Sequence, residues 1–243
     1  MIEIALVILV LTCISFFLIK GRSGPSQLEE KLPSVTELPT RKLNVFFGTQ
    51  TGSAEKFAYR VQAAAEERNI MCNVIDMKSF EPDNLTNTVN DTQDIFLFII
   101  STYIDGQPPS GGKWFCKWLE ESSTDFRIHK SLLSGMKYAV FGLGNSLYAE
   151  HYNTVGRNVD RWLHKLSASR IYPFSEGDTD VSQSLHGSQE EDFKAWLGEI
   201  LDVVSGIIRD KHGNAAKKLK KLAQSKVFLL SFIVLVFLLL RFL

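Results

Sequence analysis

The segment Thr49–Ala54, rich in hydroxyl residues and glycine, is the part of the sequence best suited to chemistry. It follows the apolar run Leu43–Phe47 and leads into a helical pattern that begins at Ser53. A strand that ends in such a turn directs backbone N–H groups, hydroxyls and a helix N-terminus toward one point, which is a typical phosphate site. No Lys or Arg lies between Gly48 and Glu55. The sequence therefore predicts that dipoles and hydroxyl groups hold the anion.

Two common nucleotide motifs do not fit the glycines of this chain. A Walker A loop requires the pattern GxxxxGK[ST], whereas Gly48 and Gly52 have a shorter spacing and no lysine follows them. The dinucleotide motif GxGxxG should follow the first strand, but the sequence Gly142–Gly144 comes much later and Leu147 stands in place of the third glycine. The sequence thus argues against triphosphate and dinucleotide sites.

Tyr103 and Tyr148 stand in two further loops, each directly after an apolar run, where either ring could stack on a planar ligand. These residues favour a mononucleotide whose phosphate lies in the first loop and whose ring, such as an isoalloxazine, lies between the tyrosines. The alternative is that each tyrosine covers the rim of the core. Asp178 is a candidate neighbour of the ring, with an ordinary turn residue as the alternative.

The elements that position these loops follow from an alternation of apolar runs with helical patterns. Strands are predicted at Leu43–Phe47, Met71–Asp76, Ile95–Ser101, Met136–Phe141 and Arg170–Phe174, and helices at about 53–69, 82–89, 113–121, 151–166 and 189–208. Such an order predicts an α/β fold with a five-stranded doubly wound parallel sheet. Ligands of these sheets bind beyond the carboxyl ends of the strands, where all the candidate loops fall.

Charge is distributed unevenly along the 243 residues, although the formal net charge is zero. Residues 41–210 contain 17 Lys/Arg and 23 Asp/Glu, a net charge of −6, whereas residues 211–243 carry seven basic residues and no acidic ones. An acidic domain disfavours direct nucleic-acid binding and favours docking to a basic protein surface. The three cysteines, Cys13, Cys72 and Cys116, form no CxxC pair, which indicates a reducing environment.

Both ends of the chain are hydrophobic. Ile4–Ile19 is an uncharged run followed by Lys20, and Val227–Leu240 is an uncharged run preceded by Lys226. They predict N- and C-terminal hydrophobic helices that flank the sheet domain, and membrane attachment with the central domain on the cytosolic side. The expected localisation is a membrane, that of the endoplasmic reticulum. A cleaved signal peptide and a tail that comes from a truncated or alternatively spliced chain are the alternatives. The predicted organisation is a membrane anchor at 1–22, a linker at 23–42, the domain at 43–209, a basic linker at 210–226 and a possible transmembrane segment at 227–243.

Several motifs resemble those of the flavodoxin-like family, which binds FMN. They are TQTGSA at 49–54, TYIDG at 102–106, YAVFGLGNSLYAEHYNTVG at 138–156 and EGD at 176–178. The stretches WFCKWLEESSTDFR and HGSQEEDFKAW are similar to the flavodoxin-like module of eukaryotic tRNA 4-demethylwyosine synthases, enzymes of wybutosine biosynthesis. The resemblance covers about residues 43–205.

The resemblance implies FMN as cofactor, a phosphate held by the first loop and a flavin flanked by the two tyrosines. The candidate cofactor-binding residues are Thr49, Gln50, Thr51, Gly52, Ser53, Ala54, Thr102, Tyr103, Asp105, Gly106, Val140, Phe141, Gly142, Leu143, Gly144, Asn145, Tyr148, His151, Tyr152, Asn153 and Asp178. The implied function is that of a single-electron carrier for a radical-SAM iron–sulfur partner.

The sequence departs from the complete synthases in one respect that bears on function. A radical-SAM domain requires a CxxxCxxC triad, which this sequence lacks, so we expect the electron acceptor on another chain. The alternatives are a non-catalytic truncated or splice product, the FMN module of a diflavin-reductase-like system, and an FMN-dependent quinone reductase. The last would need an NAD(P)H site that no loop evidently supplies.

Overall fold

The computed structural model describes residues 41–91 and 94–209, which form a parallel sheet with helices on both faces. The strands are β1 (Leu43–Gly48), β2 (Cys72–Asp76), β3 (Ile95–Ser101), β4 (Lys137–Gly144), β5 (Ser169–Arg170) and β6 (Ser175–Asp178). The helices are α1 (Ser53–Glu67), α2 (Asn84–Asp91), α3 (Lys113–Thr124), α4 (Thr154–Lys165) and α5, which covers 189–209. The predicted α/β class is confirmed.

The strand order β2-β1-β3-β4-β5 places β1 and β3 in the interior of the sheet, with β6 also paired to β4. All six residues of β1 and the first six of β3 are buried, as expected for parallel strands covered on both faces. One apolar cluster packs α1 and α5 against the sheet, and a second packs α2, α3 and α4 against the other face. The carboxyl ends of β1, β3 and β4 therefore meet at one edge, where the candidate loops begin.

The fifth strand differs from the prediction of a continuous Arg170–Phe174 strand. It consists of two short pieces, β5 and β6, which both pair with β4 on either side of residues 171–174. Pro173 lies in the gap, and proline has no N–H to donate to a neighbouring strand. The interruption leaves space beside the edge of the sheet.

A partly buried ionic contact joins β4, α4 and β5. The Arg170 guanidinium donates to both carboxylate oxygens of Asp160, at 2.7 and 2.5 Å, and the Tyr138 hydroxyl donates to the Asp160 carbonyl at 2.9 Å. Burial, together with the Asp160 charge, raises the pKa of Tyr138. This contact fixes the strand and the helix between which the loop 145–153 runs.

The sequence-based expectation of a membrane protein is corrected by the structure. Within residues 41–91 and 94–209, no helix is long and apolar enough to cross a membrane. This finding contradicts the transmembrane assignment and the endoplasmic-reticulum localisation. The two hydrophobic runs on which those predictions rested, and the hydrophobic helices expected there, lie outside the described residues.

Candidate flavin site

The loop after β1 leaves the N-terminus of α1 open toward solvent. Gly52, the N-cap residue, has φ = 90° and ψ = −3°, and no side chain among the described residues caps the helix. The Thr49 hydroxyl accepts a hydrogen bond from the Gly52 N–H at 2.9 Å, which closes the turn. The hydroxyl oxygens of Thr51 and Ser53 lie 3.4 Å apart. Free N–H groups at a helix N-terminus beside two hydroxyls are suited to an anion.

A second loop braces this turn from the side. The Gln50 side-chain oxygen accepts a hydrogen bond from the Ser110 N–H at 2.9 Å, so this side chain faces the 110–112 turn. A Cβ added at Gly111 would lie 3.1 Å from the Thr49 carbonyl oxygen, which shows how closely the two backbones approach. The brace holds the shape of the turn at Gly52.

Two exposed tyrosines stand in the loops that follow β3 and β4. Tyr103 is 44% exposed and Tyr148 is 69% exposed, values that are high for aromatic side chains. Both line a cavity of about 460 Å³ that reaches the hydroxyls of Thr51 and Ser53. The cavity volume falls within the range typical of small-molecule sites, and no Lys or Arg of the described part of the chain lines it.

The loop 145–153 is held in an unusual backbone conformation. Ala149 (φ = 43°) and Asn153 (φ = 51°) both have positive φ values, which are uncommon for residues other than glycine. Asn153 is fully buried, and a Cβ at Gly142 or Gly144 would lie 2.9 Å from its side-chain oxygen. Only glycine at these two positions allows Asn153 to pack so closely against β4.

Contacts between the loops order the rest of the cavity wall. The Thr102 hydroxyl accepts a hydrogen bond from the Val155 N–H at 3.2 Å, which ties the loop after β3 to the first turn of α4. Gly106, with φ = 72°, approaches His151 so closely that an added Cβ would lie 3.1 Å from the ring nitrogen Nδ1. These contacts bring His151 and Tyr103 to the same cavity.

Asp178 and Asp192 are buried carboxylates that organise the neighbouring loop 179–188. Asp178 accepts hydrogen bonds from the N–H groups of Ser146 and Asp180, at 3.0 and 2.9 Å. Asp192 accepts from the Asp178 N–H, the His186 N–H and the Ser184 hydroxyl. Burial would raise the pKa of Asp192, but these hydrogen bonds outweigh it and the pKa is lowered. Both carboxylates therefore position loops.

The structure brings about half of the predicted residues to the cavity. Those that line it are Thr51, Ser53, Thr102, Tyr103, Asp105, Leu143, Gly144, Asn145, Tyr148 and His151. The other predicted residues do not line it. Thr49, Gln50 and Gly52 shape the turn after β1, and Ala54 is buried at the start of α1. Gly106 and Asn153 support the other loops, Val140 and Gly142 lie in the buried part of β4, and Phe141, Tyr152 and Asp178 line a different cleft. Burial, and then the charges of Glu176 and Asp178, raise the pKa of Tyr152 to about 12.

Four lining residues were not predicted: Ser101, Ile104, Thr179 and Gln189. Ser101, Ile104 and Thr179 are direct sequence neighbours of predicted residues, so sequence reasoning could have included them. Gln189 enters the site because its side-chain amide donates to the carbonyls of Gly144 and Gly177 at 3.3 and 3.2 Å. No spacing in the sequence indicates that contact, because it depends on how α5 docks against the sheet.

A comparison with known families agrees with this geometry. The model of the family described as Flavodoxin matches residues 45–196, which is more than half of the chain. This chain belongs to the flavodoxin family. Flavodoxins bind flavin, and the turn at Gly52, the two tyrosine loops and the cavity between them lie within the matched region.

Relatives of known function share this part of the chain. The flavodoxin-like region is 44% identical over 181 residues to the S-adenosyl-L-methionine-dependent tRNA 4-demethylwyosine synthase of Xenopus laevis, covering 74% of this chain and 24% of that protein. The synthase of Homo sapiens is 47% identical over 165 residues, covering 68% and 22% of the two chains. The sequence-based resemblance to the flavodoxin part of these synthases is thus confirmed. This chain spans about a quarter of their length.

Solved structures support the fold. A cysteine-to-serine mutant of flavodoxin from Pseudomonas aeruginosa superposes with a TM-score of 0.52 at 21% identity, covering 67% of this chain and 97% of that one. A flavodoxin of Streptococcus pneumoniae gives a TM-score of 0.50 at 18% identity, covering 68% and 97%. At these identities the likeness concerns the flavodoxin fold alone.

Proposed function

We propose that this chain binds FMN in the cavity between Tyr103 and Tyr148 and delivers single electrons to the iron–sulfur cluster of a radical-SAM protein. One observation carries the cofactor assignment. The same cavity has an open helix N-terminus with two hydroxyls at one end and two exposed aromatic rings at the other. A phosphate attached to a planar ring system satisfies both ends at once.

The phosphate end supports a monoester held by neutral donors. The N-terminal N–H groups of α1 and the hydroxyls of Thr51 and Ser53 would donate to it, and the helix dipole would favour its negative charge. Because no Lys or Arg within residues 41–91 and 94–209 lines the cavity, these residues offer neither side chain to the further phosphates of a triphosphate.

The ring end supports a stacked aromatic cofactor. Tyr103 and Tyr148 would cover the ring and exclude water from it, while Thr102 and Asn145 lie in the same wall and offer polar contacts to its edge. When bound, FMN supplies the one-electron redox chemistry, and the protein contributes binding and orientation.

The relatives support the proposed acceptor. They are named as S-adenosyl-L-methionine-dependent tRNA 4-demethylwyosine synthases, and this chain matches only their flavodoxin-like part. We propose that the radical-SAM protein that receives the electrons is of that kind. With a net charge of −6 over residues 41–210, we expect this chain to dock to a basic protein surface and not to bind tRNA by itself.

The test mixes the reduced, FMN-loaded full chain with the iron–sulfur form of a tRNA 4-demethylwyosine synthase that lacks its own flavodoxin region. The proposal expects loss of the cluster absorbance at a rate that depends on the concentration of this chain, together with return of the oxidised flavin spectrum. FMN-free chain with the same reductant serves as the control. If the chain binds FMN but leaves the cluster oxidised, the proposed acceptor is wrong. If the chain binds no FMN, the cofactor assignment is wrong as well, and the alternative of a non-catalytic truncated or splice product is favoured.

A further inference from the structure

A second cavity lies beside the interrupted fifth strand. It has a volume of about 560 Å³, lies between residues 172–178 and the face of α5 that carries Trp196 and Glu199, and shares no lining residue with the candidate flavin site. We call it the edge cleft. Its size is that of a ligand site, and it requires a separate explanation.

The lining of the edge cleft includes several aromatic side chains. Tyr152, Tyr172, Phe174 and Trp196 contribute to its lining from the two faces of the sheet. The negative faces of such rings attract organic cations, and several rings around one cavity are a common arrangement for that purpose.

The charge of the lining also favours a cation. Among the described residues, this lining contains four carboxylates and one histidine, and no Lys or Arg. Asp178 and Asp192 are occupied by backbone N–H and hydroxyl donors, and Glu176 pairs with Arg157 at 2.5 Å. The Glu199 carboxylate accepts a hydrogen bond from the Tyr172 hydroxyl, and no Lys or Arg among residues 41–91 and 94–209 pairs with it.

At the border of the edge cleft, the chain's own Arg157 contacts both an aromatic ring and a carboxylate. The Arg157 guanidinium carbon lies 5.6 Å from the centre of the Tyr152 ring while its nitrogen pairs with Glu176. Tyr172 and Glu199 repeat this combination of one ring and one carboxylate on the side of α5, without an arginine among the described residues.

A third group in the wall requires a hydrogen-bond acceptor. Trp196 is 3% exposed, and its indole N–H has no partner within the described part of the chain. Trp196 and Glu199 are three residues apart on α5, so they share one face of that helix. A buried donor without a partner is costly, and a ligand carbonyl oxygen would satisfy it.

From these observations we infer that the edge cleft binds an arginine side chain of a partner polypeptide. The guanidinium pairs with Glu199 and packs on the Tyr172 ring, and a peptide carbonyl near the arginine accepts from the Trp196 indole N–H. The planar guanidinium matches a carboxylate through two parallel hydrogen bonds and stacks on aromatic rings, which an ammonium does less well. This inference does not depend on FMN binding.

The experiment titrates the full chain with three blocked tripeptides, Gly-Arg-Gly, Gly-Lys-Gly and Gly-citrulline-Gly, and follows the indole N–H signals by NMR. The arginine peptide is expected to shift the Trp196 signal at concentrations at least fivefold lower than the citrulline peptide, which has the same shape without the charge. Free guanidinium chloride at equal ionic strength distinguishes a small cation from an arginine within a peptide, since only the peptide supplies the carbonyl.

Glu199→Gln is the variant that tests the site, and Glu191→Gln is its matched control on the same helix, because Glu191 is exposed and pairs with Lys194 away from the cleft. Glu199→Gln is expected to weaken binding of the arginine peptide about fivefold, and Glu191→Gln to leave it unchanged. Equal affinity of wild type for the arginine and citrulline peptides, no shift of the Trp196 signal, or equal binding by both variants would overturn the inference. The first two readouts use the wild-type chain, so they hold even if a variant is less stable.

Discussion

Replacement of Tyr148 by alanine isolates the proposed ring site from the stability of the fold. Tyr148 is 69% exposed and lines the candidate flavin cavity, whereas the core clusters do not include it. Its removal should therefore change the free energy of unfolding by no more than about 0.5 kcal/mol. Any larger effect on FMN affinity reports the loss of ring stacking.

The magnitude follows from the energy of stacking. When an aromatic side chain that stacks on a planar nucleic-acid base is replaced by alanine, the binding free energy falls by about 1–3 kcal/mol. Because Tyr103 would still cover the other face of the ring, we expect the lower part of that range for Tyr148→Ala. A loss of about 1.4 kcal/mol corresponds to a tenfold higher Kd.

The assay is a fluorescence titration of the full chain with FMN and, in parallel, with riboflavin. Tyr148→Ala is expected to raise the Kd of FMN and the Kd of riboflavin by the same factor, since in the proposed site the tyrosine contacts the ring and not the phosphate. Tyr59→Ala is the matched control, because Tyr59 is 52% exposed on α1 and lies outside the cavity lining. Wild-type FMN affinity in Tyr148→Ala, or an equal loss in Tyr59→Ala, would refute the assignment of the ring site.

Three further predictions concern the loop after β1 and the Asp192 carboxylate, which orders the loop 179–188. Thr51→Val combined with Ser53→Ala should weaken FMN at least about tenfold and leave riboflavin unchanged, because the hydroxyls would donate only to the phosphate; equal weakening of both ligands contradicts this. Gly52→Ala should lower the free energy of unfolding in urea by about 1 kcal/mol, because Gly52 has φ = 90°. Gly198→Ala, within α5, is the control and should raise the free energy of unfolding by about 1 kcal/mol. Both positions have open space for a Cβ, so equal effects would show that φ is not the cause. Asp192→Asn should lower the free energy of unfolding by about 2 kcal/mol at neutral pH. Since the folded-state pKa of Asp192 is lowered, its stabilisation is present above about pH 4 and is lost in acid, so the difference from wild type should shrink in urea titrations below pH 4, and a constant difference contradicts the assignment.

The parts of the fold that sequence reasoning predicted are those with a strong local signal. The apolar run Ile95–Ser101 is long, uncharged and bounded by loop residues, and it forms the buried strand β3 as predicted. The turn at Gly52 was likewise predicted, since its residue types are the ones that such a turn needs. By contrast, the apolar pattern of 170–174 predicts one continuous fifth strand, and this prediction is wrong. Pro173 lacks the N–H group that a continuous ladder with β4 would need, so only β5 and β6 pair with β4.

The remaining features depend on contacts between distant segments. The position of Asp178 in the sequence predicts that it lies near the flavin ring. In the structure its carboxylate accepts hydrogen bonds from the N–H groups of Ser146 and Asp180. Gln189 enters the cavity through the docking of α5, and the edge cleft exists because β5 and β6 separate. Neither has a local pattern in the sequence, since each arises from tertiary packing.

The central claim is that this chain holds FMN in the cavity between Tyr103 and Tyr148, and a titration of the purified full chain with FMN tests it most directly. The proposal predicts quenching of the flavin fluorescence that saturates at one FMN per chain, with weaker binding of riboflavin because it lacks the phosphate. Flavin fluorescence that stays unchanged as the protein concentration rises, or equal affinity for riboflavin and FMN, would contradict it.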